Sequence, residues 1–297
     1  MKIIVTHTAP DMDAVTGVWI LKRFLPGWKD AEVKFVPAGS RLPSSRANEL
    51  TDPIEKIGDN EVIHVDTGLG PLDHHQTADD KVCGASRAWD YVRENSSEFK
   101  SPEDSDKIVN REQAISRMIQ VVVDVDHFKE VFRPEPSADY HDFSVIGILD
   151  GLKLLKPDSD LYYVEFISEA LDGLLRDFEN KIWAEKEIEG NSTPFETVWG
   201  KGLGMETIND DVIKTAQLQG FAVVVRKDPR KGYVRIKANP QFDIDLTNIY
   251  EQLKKMDPDA TWFLHVSRKM LLNGTPKNPK MVPTKLFLDQ IISVLKK

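Results

Sequence analysis

The chain has 297 residues, 40% of them apolar and 29% charged, with a net charge of −9, the balance of a soluble globular protein long enough for two domains. No apolar run approaches the ~20 residues of a bilayer-spanning helix, and the start lacks the pattern of a secretory signal, so the expected compartment is the cytoplasm, with no membrane partner. The single cysteine, Cys83, excludes an intramolecular disulfide and a thiolate metal cage, and reads as a small residue near a helix start. From Phe221 onward 15 Lys and Arg face 7 Asp and Glu, a balance of +8 that leaves −17 for the preceding segment. An acidic half suits metal ions and a basic half suits phosphate, although basic segments are also common as plain solvated surface.

Residues 2–5 read as a buried strand, 13–25 as a helix halted by Pro26 and Gly27, and 32–36 and 61–65 as a second and third strand. Such alternation is the pattern of a βαβ domain. A helix follows Gly84 and runs to about Arg93, with Ser86 capping its first turn. Residues 100–106, rich in Ser, Pro and acids, predict a loop, and 108–125 a helix or mixed structure. Residues 133–142, with two prolines, predict a loop or lid. Apolar residues recur at helical spacing from Leu161 and Val164 to Phe178 and Ile182, which predicts a long connecting helix over 159–187. Residues 200–204, Gly-Lys-Gly-Leu-Gly, lack the spacing and trailing Ser or Thr of a phosphate loop and read as a turn. Strands are then expected at 221–225 and 233–236 around a basic turn holding Arg226, Lys227, Arg230 and Lys231, read as a solvated hairpin. A helix at 246–256, a strand at 261–266 and a closing helix at 284–295 complete the chain. The expected division is 1–145, a helical connector at 146–200, and 201–297.

Imidazole and carboxylate concentrate in two places. His7, Asp11 and Asp13 follow the apolar run Ile3-Ile4-Val5, and Asp66 precedes Asp73-His74-His75. Carboxylate oxygen and neutral imidazole nitrogen suit hard or borderline divalent ions. With a strand before His7 and a helix from Asp13, the intervening loop falls at the carboxyl edge of a sheet, where open α/β folds bind ligands. Asp66, at the expected end of the third strand, reaches the same edge, and the turn from Thr67 to Pro71 returns His74 to it. Any one histidine is more often structural than a ligand, but an ordered set at successive strand exits is far less accidental.

The order His-x-x-x-Asp-x-Asp, a lone Asp at a strand end and Asp-His-His resembles the DHH phosphoesterase superfamily, which includes RecJ-type exonucleases, nanoRNases, manganese-dependent family II inorganic pyrophosphatases and MYG-type exonucleases. The resemblance covers residues 1–130. It implies an α/β fold, with an N-terminal parallel-sheet DHH-type domain and a smaller C-terminal α+β domain joined by a long helix. It further implies two divalent metal ions, both manganese or, as the alternative, magnesium or another divalent ion, held by His7, Asp11, Asp13, Asp66 and His74. His75 would contact substrate and assist catalysis, and Asp73 would orient the neighbouring histidines. One more metal-binding Asp is expected at another strand end, with Asp126 preferred to its competitor Asp124.

The C-terminal half resembles the family loosely. It has no Gly-Gly-Gly-His run, while residues 262–274 and Gly232-Tyr233-Val234-Arg235 are similar to segments of MYG-type proteins. Residues 9–13 depart from the start of those proteins, and the stretch after Asp126 lacks their Asn-Gly. His265, Arg268 and Lys269 are read as phosphate-binding residues, because charge-assisted bonds to phosphoryl oxygens are strong. The expected function is metal-dependent hydrolysis of phosphodiester bonds in short single-stranded oligonucleotides, small nucleotides or another phosphorylated small molecule, exonuclease-like, with homodimerisation open. The alternatives are a manganese-dependent inorganic pyrophosphatase and a non-catalytic metal- or nucleotide-binding regulatory module.

Overall fold

The structure is a computed structural model that describes residues 1–45, 51–100, 105–275, 278 and 280–296. Most of the loop expected over 100–106 lies outside the described residues. The chain divides into two compact units, Met1–Glu179 and Asn180–Lys297.

In the first unit, β1 (Lys2–His7) buries Ile3, Ile4 and Val5 in succession, the unbroken apolar run of a strand covered on both faces. Helix α1 (Met12–Phe24) begins at Asp11, whose Oδ1 accepts a hydrogen bond from the Ala14 N–H at 3.0 Å, a side-chain cap that satisfies one open helix donor. Nearly every side chain of α1 is buried, and Gly17 lets it press against Val65, whose Cγ2 would stand 2.6 Å from an added Cβ. Strand β2 (Glu32–Val36) pairs parallel with β1. A hairpin of β3 (Ile54–Ile57) and β4 (Asn60–His64) turns at Gly58, and β4 pairs parallel with β1 on its other side. The order is β2-β1-β4-β3, so the expected parallel strands carry an unanticipated antiparallel edge strand, β3.

Helix α2 (Gly84–Asn95) packs on α1, and so does α3 (Ser105–Asp126). Ala114, Ile115, Met118, Ile119, Val122 and Val123 of α3 are buried, and their spacing of three and four keeps one face of a continuous helix on the core. Asp126 therefore ends a helix, not the strand that was expected. The stretch expected to be a loop at 133–142 ends in a short helix, α4 (Asp139–Asp142), and a fifth helix, α5 (Val145–Leu155), follows under a Ser144 cap. Helix α6 (Asp160–Asn191) is the long helix read from the apolar periodicity, and the division between the units falls inside it. Within the first unit it is tied down by Asp160, which accepts from the Ala9 N–H, and by Asp172, which accepts from Trp19 Nε1.

The second unit contains β5 (Thr193–Thr197), β6 (Gly200–Glu206), α7 (Asp211–Leu218), β7 (Val223–Lys227), β8 (Val234–Ala238), α8 (Thr247–Met256), β9 (Trp262–Leu264), β10 (Met270–Asn273) and α9 (Leu288–Leu295). Its sheet runs β5-β6-β7-β8-β10-β9, with only β6 and β7 parallel. The Gly-Lys-Gly-Leu-Gly run is not a turn but part of β6. A Cβ on Gly202 would stand 2.4 Å from the Phe195 ring, and one on Gly204 would stand 2.5 Å from Ile292, so these glycines make room for packing. The closing helix starts four residues later than expected, because the Asp257 carboxylate accepts from the Thr284 hydroxyl and the Lys285 N–H and holds that stretch extended. No helix among the described residues is long and apolar enough to cross a membrane.

Candidate metal centre

Val5 lies opposite His64 in the parallel pairing of β1 and β4, so two residues further on His7 and Asp66 come level at the carboxyl edge. The His7 Nε2 stands 3.3 Å from Asp66 Oδ2 and 3.8 Å from Asp11 Oδ2. Its other ring nitrogen is 2.9 Å from the Thr8 carbonyl. With Nδ1–H donating there, Nε2 is left free for a ligand.

Asp66 is 2% exposed and has φ +53, in the left-handed region that Asp tolerates better than most residues. Gly68 and Leu69 also have positive φ, at +77 and +55, and this tight loop brings the next residues back over the sheet edge. Asp73 closes it. Its Oδ2 accepts from the Leu69 N–H at 2.6 Å, and its Oδ1 faces His75 Nδ1 at 2.7 Å and accepts from the His75 N–H. Asp73 thereby fixes the orientation of His75, whose ring is exposed. His74 turns inward, with Nε2 at 3.5 Å from Asp66 Oδ1, 3.5 Å from Asp126 Oδ2 and 3.6 Å from Asp13 Oδ2.

Among the described residues, three overlapping groups can each offer ligand atoms to one ion: His7, Asp11 and Asp66; Asp66, His74 and His75; and His74, Asp126 and His127. Asp66 belongs to two of them and presents a different oxygen to His7 than to His74, the position of a bridging carboxylate. Asp66 Oδ1, His74 Nε2 and Asp126 Oδ2 are all buried with no hydrogen-bond partner. Buried polar atoms left open in a folded protein call for an explanation, and a bound ion is one. Donors held at ~2.1 Å from a divalent ion stand about 3.0–3.5 Å from one another, close to the spacing found, so the donor set fits such an ion.

The electrostatics agree. Burial lowers the pKa of His7, but the Asp66 and Asp11 carboxylates and the Thr8 carbonyl outweigh it and raise the imidazole to about 9. The Asp66 carboxylate, against some burial, lifts His74 to about 9 as well, with Asp126 and Asp13 adding to it. Burial and the neighbouring Asp66 push Asp13 well up, and burial pushes Asp126 up. Burial would raise Asp66 too, but the two imidazoles overcome it and hold its carboxyl low. Without an ion, protons on His7 and His74 offset crowded carboxylates. A divalent cation does the same work and must displace those protons, since only neutral imidazole ligates.

Asp13 lies against the N-terminus of α2, where its two oxygens accept from the Gly84 and Ala85 N–H groups at 2.7 Å each. It stands outside the three groups above, within reach only through Oδ2. Asp124 is engaged by Gln120 and is absent from the groups. His265, Arg268 and Lys269 sit in the β9–β10 turn of the second unit. His265 Nδ1 is 2.8 Å from the Ser267 hydroxyl, Arg268 pairs with Asp245 at 2.9 Å, and Lys269 donates to the Phe242 carbonyl. The two cations are thus already engaged within their own unit. Arg226, read as solvated, is 5% exposed and ion-paired with Asp210 and Asp228, a correction that follows from its place on a central strand.

Two further residues matter and were not singled out. His127 joins Asp126 and His74, and its Nε2 lies 2.9 Å from the Val82 carbonyl; adjacency to Asp126 was the available signal. Gly84 is the other: a Cβ there would stand 2.7 Å from Asp66 Cβ and 3.1 Å from Asp13 Oδ2. Cys83 is buried, and burial together with Asp13 pushes its thiol up, the state of an inert structural cysteine.

No family model matches the chain, and no curated protein matches it. Among solved structures, it is similar over 99% of both chains to an uncharacterized protein from Helicobacter pylori G27, at 10% identity and a TM-score of 0.25. A putative family II inorganic pyrophosphatase from Methanococcus jannaschii is similar over 99% of both chains at 13% identity and a TM-score of 0.20. Likeness at this level does not assign the chain to either.

Proposed function

We propose that this chain is a divalent-metal-dependent hydrolase of phosphoester bonds in small organophosphates, with manganese as the ion; its DHH-like motifs put short oligonucleotides and small nucleotides among the candidate substrates that the assay below compares. The observation that carries the reading is the convergence of Asp66 Oδ1, His74 Nε2 and Asp126 Oδ2, three buried atoms without hydrogen-bond partners, at 3.5 Å from Nε2 to either oxygen. His7, Asp11, Asp66, His74 and Asp126 would hold the ions, with Asp13 set by the start of α2. Bound ions would polarise phosphoryl oxygens and acidify a water nucleophile. The chain's own part is orientation. Asp73 holds His75 through Nδ1 and leaves the exposed Nε2 to hydrogen-bond a phosphoryl oxygen, where charge gathers in the transition state.

The test is phosphate-bond cleavage by manganese-loaded protein, with pyrophosphate, a cyclic dinucleotide and labelled short RNA and DNA in parallel, beside Asp66→Ala. Bound metal is counted by mass spectrometry. Turnover of an organophosphate that Asp66→Ala loses together with its metal is the expected result. Full turnover in that variant would sink the mechanism, and two bound ions with no turnover would leave a binding module.

A further inference from the structure

The first unit also contains a cavity of ≈570 Å³, inside the range of small-molecule sites. Its walls include Met12 and Thr16 of α1, Met118 and Val122 of α3, Ile148 of α5 and Leu174 of α6. Two of these helices also carry a carboxylate of the candidate metal centre, Asp13 on α1 and Asp126 on α3. Met12 stands between Asp11 and Asp13, and Val122 precedes Asp126 by four residues, about one helical turn. The cavity and the cluster therefore share two walls.

Apart from Thr16, Asp142 and Ser144, the lining side chains are apolar. Ser144 Oγ is already used, accepting from the Gly147 N–H at 3.2 Å. Thr16 is fully buried and its hydroxyl is out of reach of a molecule the size of water, so neither hydroxyl is open to an incoming group. A nucleobase would bring several hydrogen-bonding atoms to these walls and leave most of them unsatisfied. Pyrophosphate would bring only charge.

We infer that this cavity receives the organic part of the substrate, and that this part is an apolar chain or ring with at most one or two polar atoms. The inference rests on the phosphoester reading, since it seats the phosphate on the His and Asp cluster. In the reaction, the oxygen of water bonds to phosphorus, the phosphorus–oxygen bond to the organic group breaks, and that oxygen leaves as an alcohol carrying a proton. Phosphate is the other product.

Ethyl, butyl and octyl phosphate, compared as substrates and as ligands, test this. Manganese-loaded protein is assayed for phosphate release, and octyl phosphate binding to the metal-free protein is followed by titration calorimetry. Leu174→Trp fills the cavity from α6, and Ile148→Trp fills it from the half-exposed face of α5, so that a folding defect in one leaves the other. Full burial predicts a gain of about fourfold in kcat/KM per methylene, and each variant should cut the octyl-to-ethyl ratio at least tenfold. Binding that strengthens with chain length and weakens in both variants, without turnover, would keep the cavity as a ligand site and refute the hydrolase. Turnover with no dependence on chain length, or with a dependence that neither variant alters, would overturn the cavity proposal and leave the hydrolase standing. Neither binding nor turnover would overturn both.

Discussion

Two buried clusters of histidine and carboxylate lie two residues apart on the chain, and they differ in what completes them. Around His64, Glu55 Oε1 receives Arg41 Nη2 at 2.7 Å and the Ser45 hydroxyl at 2.6 Å, while His64 Nε2 accepts from the Leu42 N–H at 3.1 Å. One guanidinium answers one carboxylate. Burial and the Arg41 charge outweigh the nearby Glu55 and push His64 down to about 4, so it is neutral, in keeping with a ring nitrogen that accepts. Around Asp66, four carboxylates meet, and among the described residues every ion pair they make is with a histidine. His7 and His74 rise to about 9. The first cluster balances its charges, and its one open ring nitrogen, His64 Nδ1, stands 3.0 Å from Glu55 Oε1; the second is short of positive charge and leaves Asp66 Oδ1, His74 Nε2 and Asp126 Oδ2 open together. Burial of charge alone therefore does not mark a site; carboxylates answered only by imidazoles do.

Supplying a divalent cation tests the cluster around Asp66. Manganese at a hundredfold excess over its dissociation constant should stabilise the protein by about 2.7 kcal/mol, read as a shift of the urea midpoint, and Asp66→Asn should abolish the shift. A shift of the same size in that variant would mean that the ions bind elsewhere. Arg41→Met tests the closed cluster. Removing the guanidinium from a buried carboxylate costs about 3–5 kcal/mol, and the response to manganese should survive. Arg41 also leans on the metal-site loop, donating to the Gly68 carbonyl at 3.3 Å, so a modest loss of metal affinity is expected with it. Equal loss of stability and of metal binding would merge the two clusters into one.

Much of this was legible beforehand, for reasons that can be named. The apolar run Ile3-Ile4-Val5 and the periodicity of residues 159–187 depend on local pattern alone, and β1 and α6 follow them. His7, Asp66 and His74 could be grouped because strand exits in a parallel sheet share an edge. β3 was not legible: it has four residues, of which only Glu55 is buried, and a buried glutamate reads as surface until its arginine is known. The glycines of β6 misled because a turn and a tightly packed strand ask for the same residue. Gly84 derives its meaning from Asp66 and Asp13, 18 and 71 positions away, which no local pattern carries.

Gly84→Ala sharpens the comparison without touching a charge. The added methyl must displace Asp66, and overpacking of this kind costs about 1–3 kcal/mol. Because the displaced group is Asp66, which the proposed function makes a metal ligand, manganese affinity should fall by about 10–100-fold, measured by calorimetry, while the pH dependence that belongs to His64 stays as it is. Unchanged affinity would show that the backbone absorbs the methyl and that Asp66 is not held where the spacing requires.

The last prediction concerns the closed cluster alone. Since His64 titrates near 4 when folded and at 6.5 when unfolded, the unfolded chain binds more protons between those values, and stability rises with pH across them. The contribution is complete above 6.5 and is lost as the pH falls through 4. Urea unfolding of the wild type and His64→Gln, from pH 4 to 7.5 with metal removed, should therefore show the wild type losing its advantage progressively below 6.5. Protonation would place a hydrogen on Nε2, where the Leu42 N–H now donates, so the loss has a specific contact behind it. A difference between the two proteins that is flat with pH would mean that the folded state tolerates the charged ring, and that the cluster around His64 is as open as the one around Asp66.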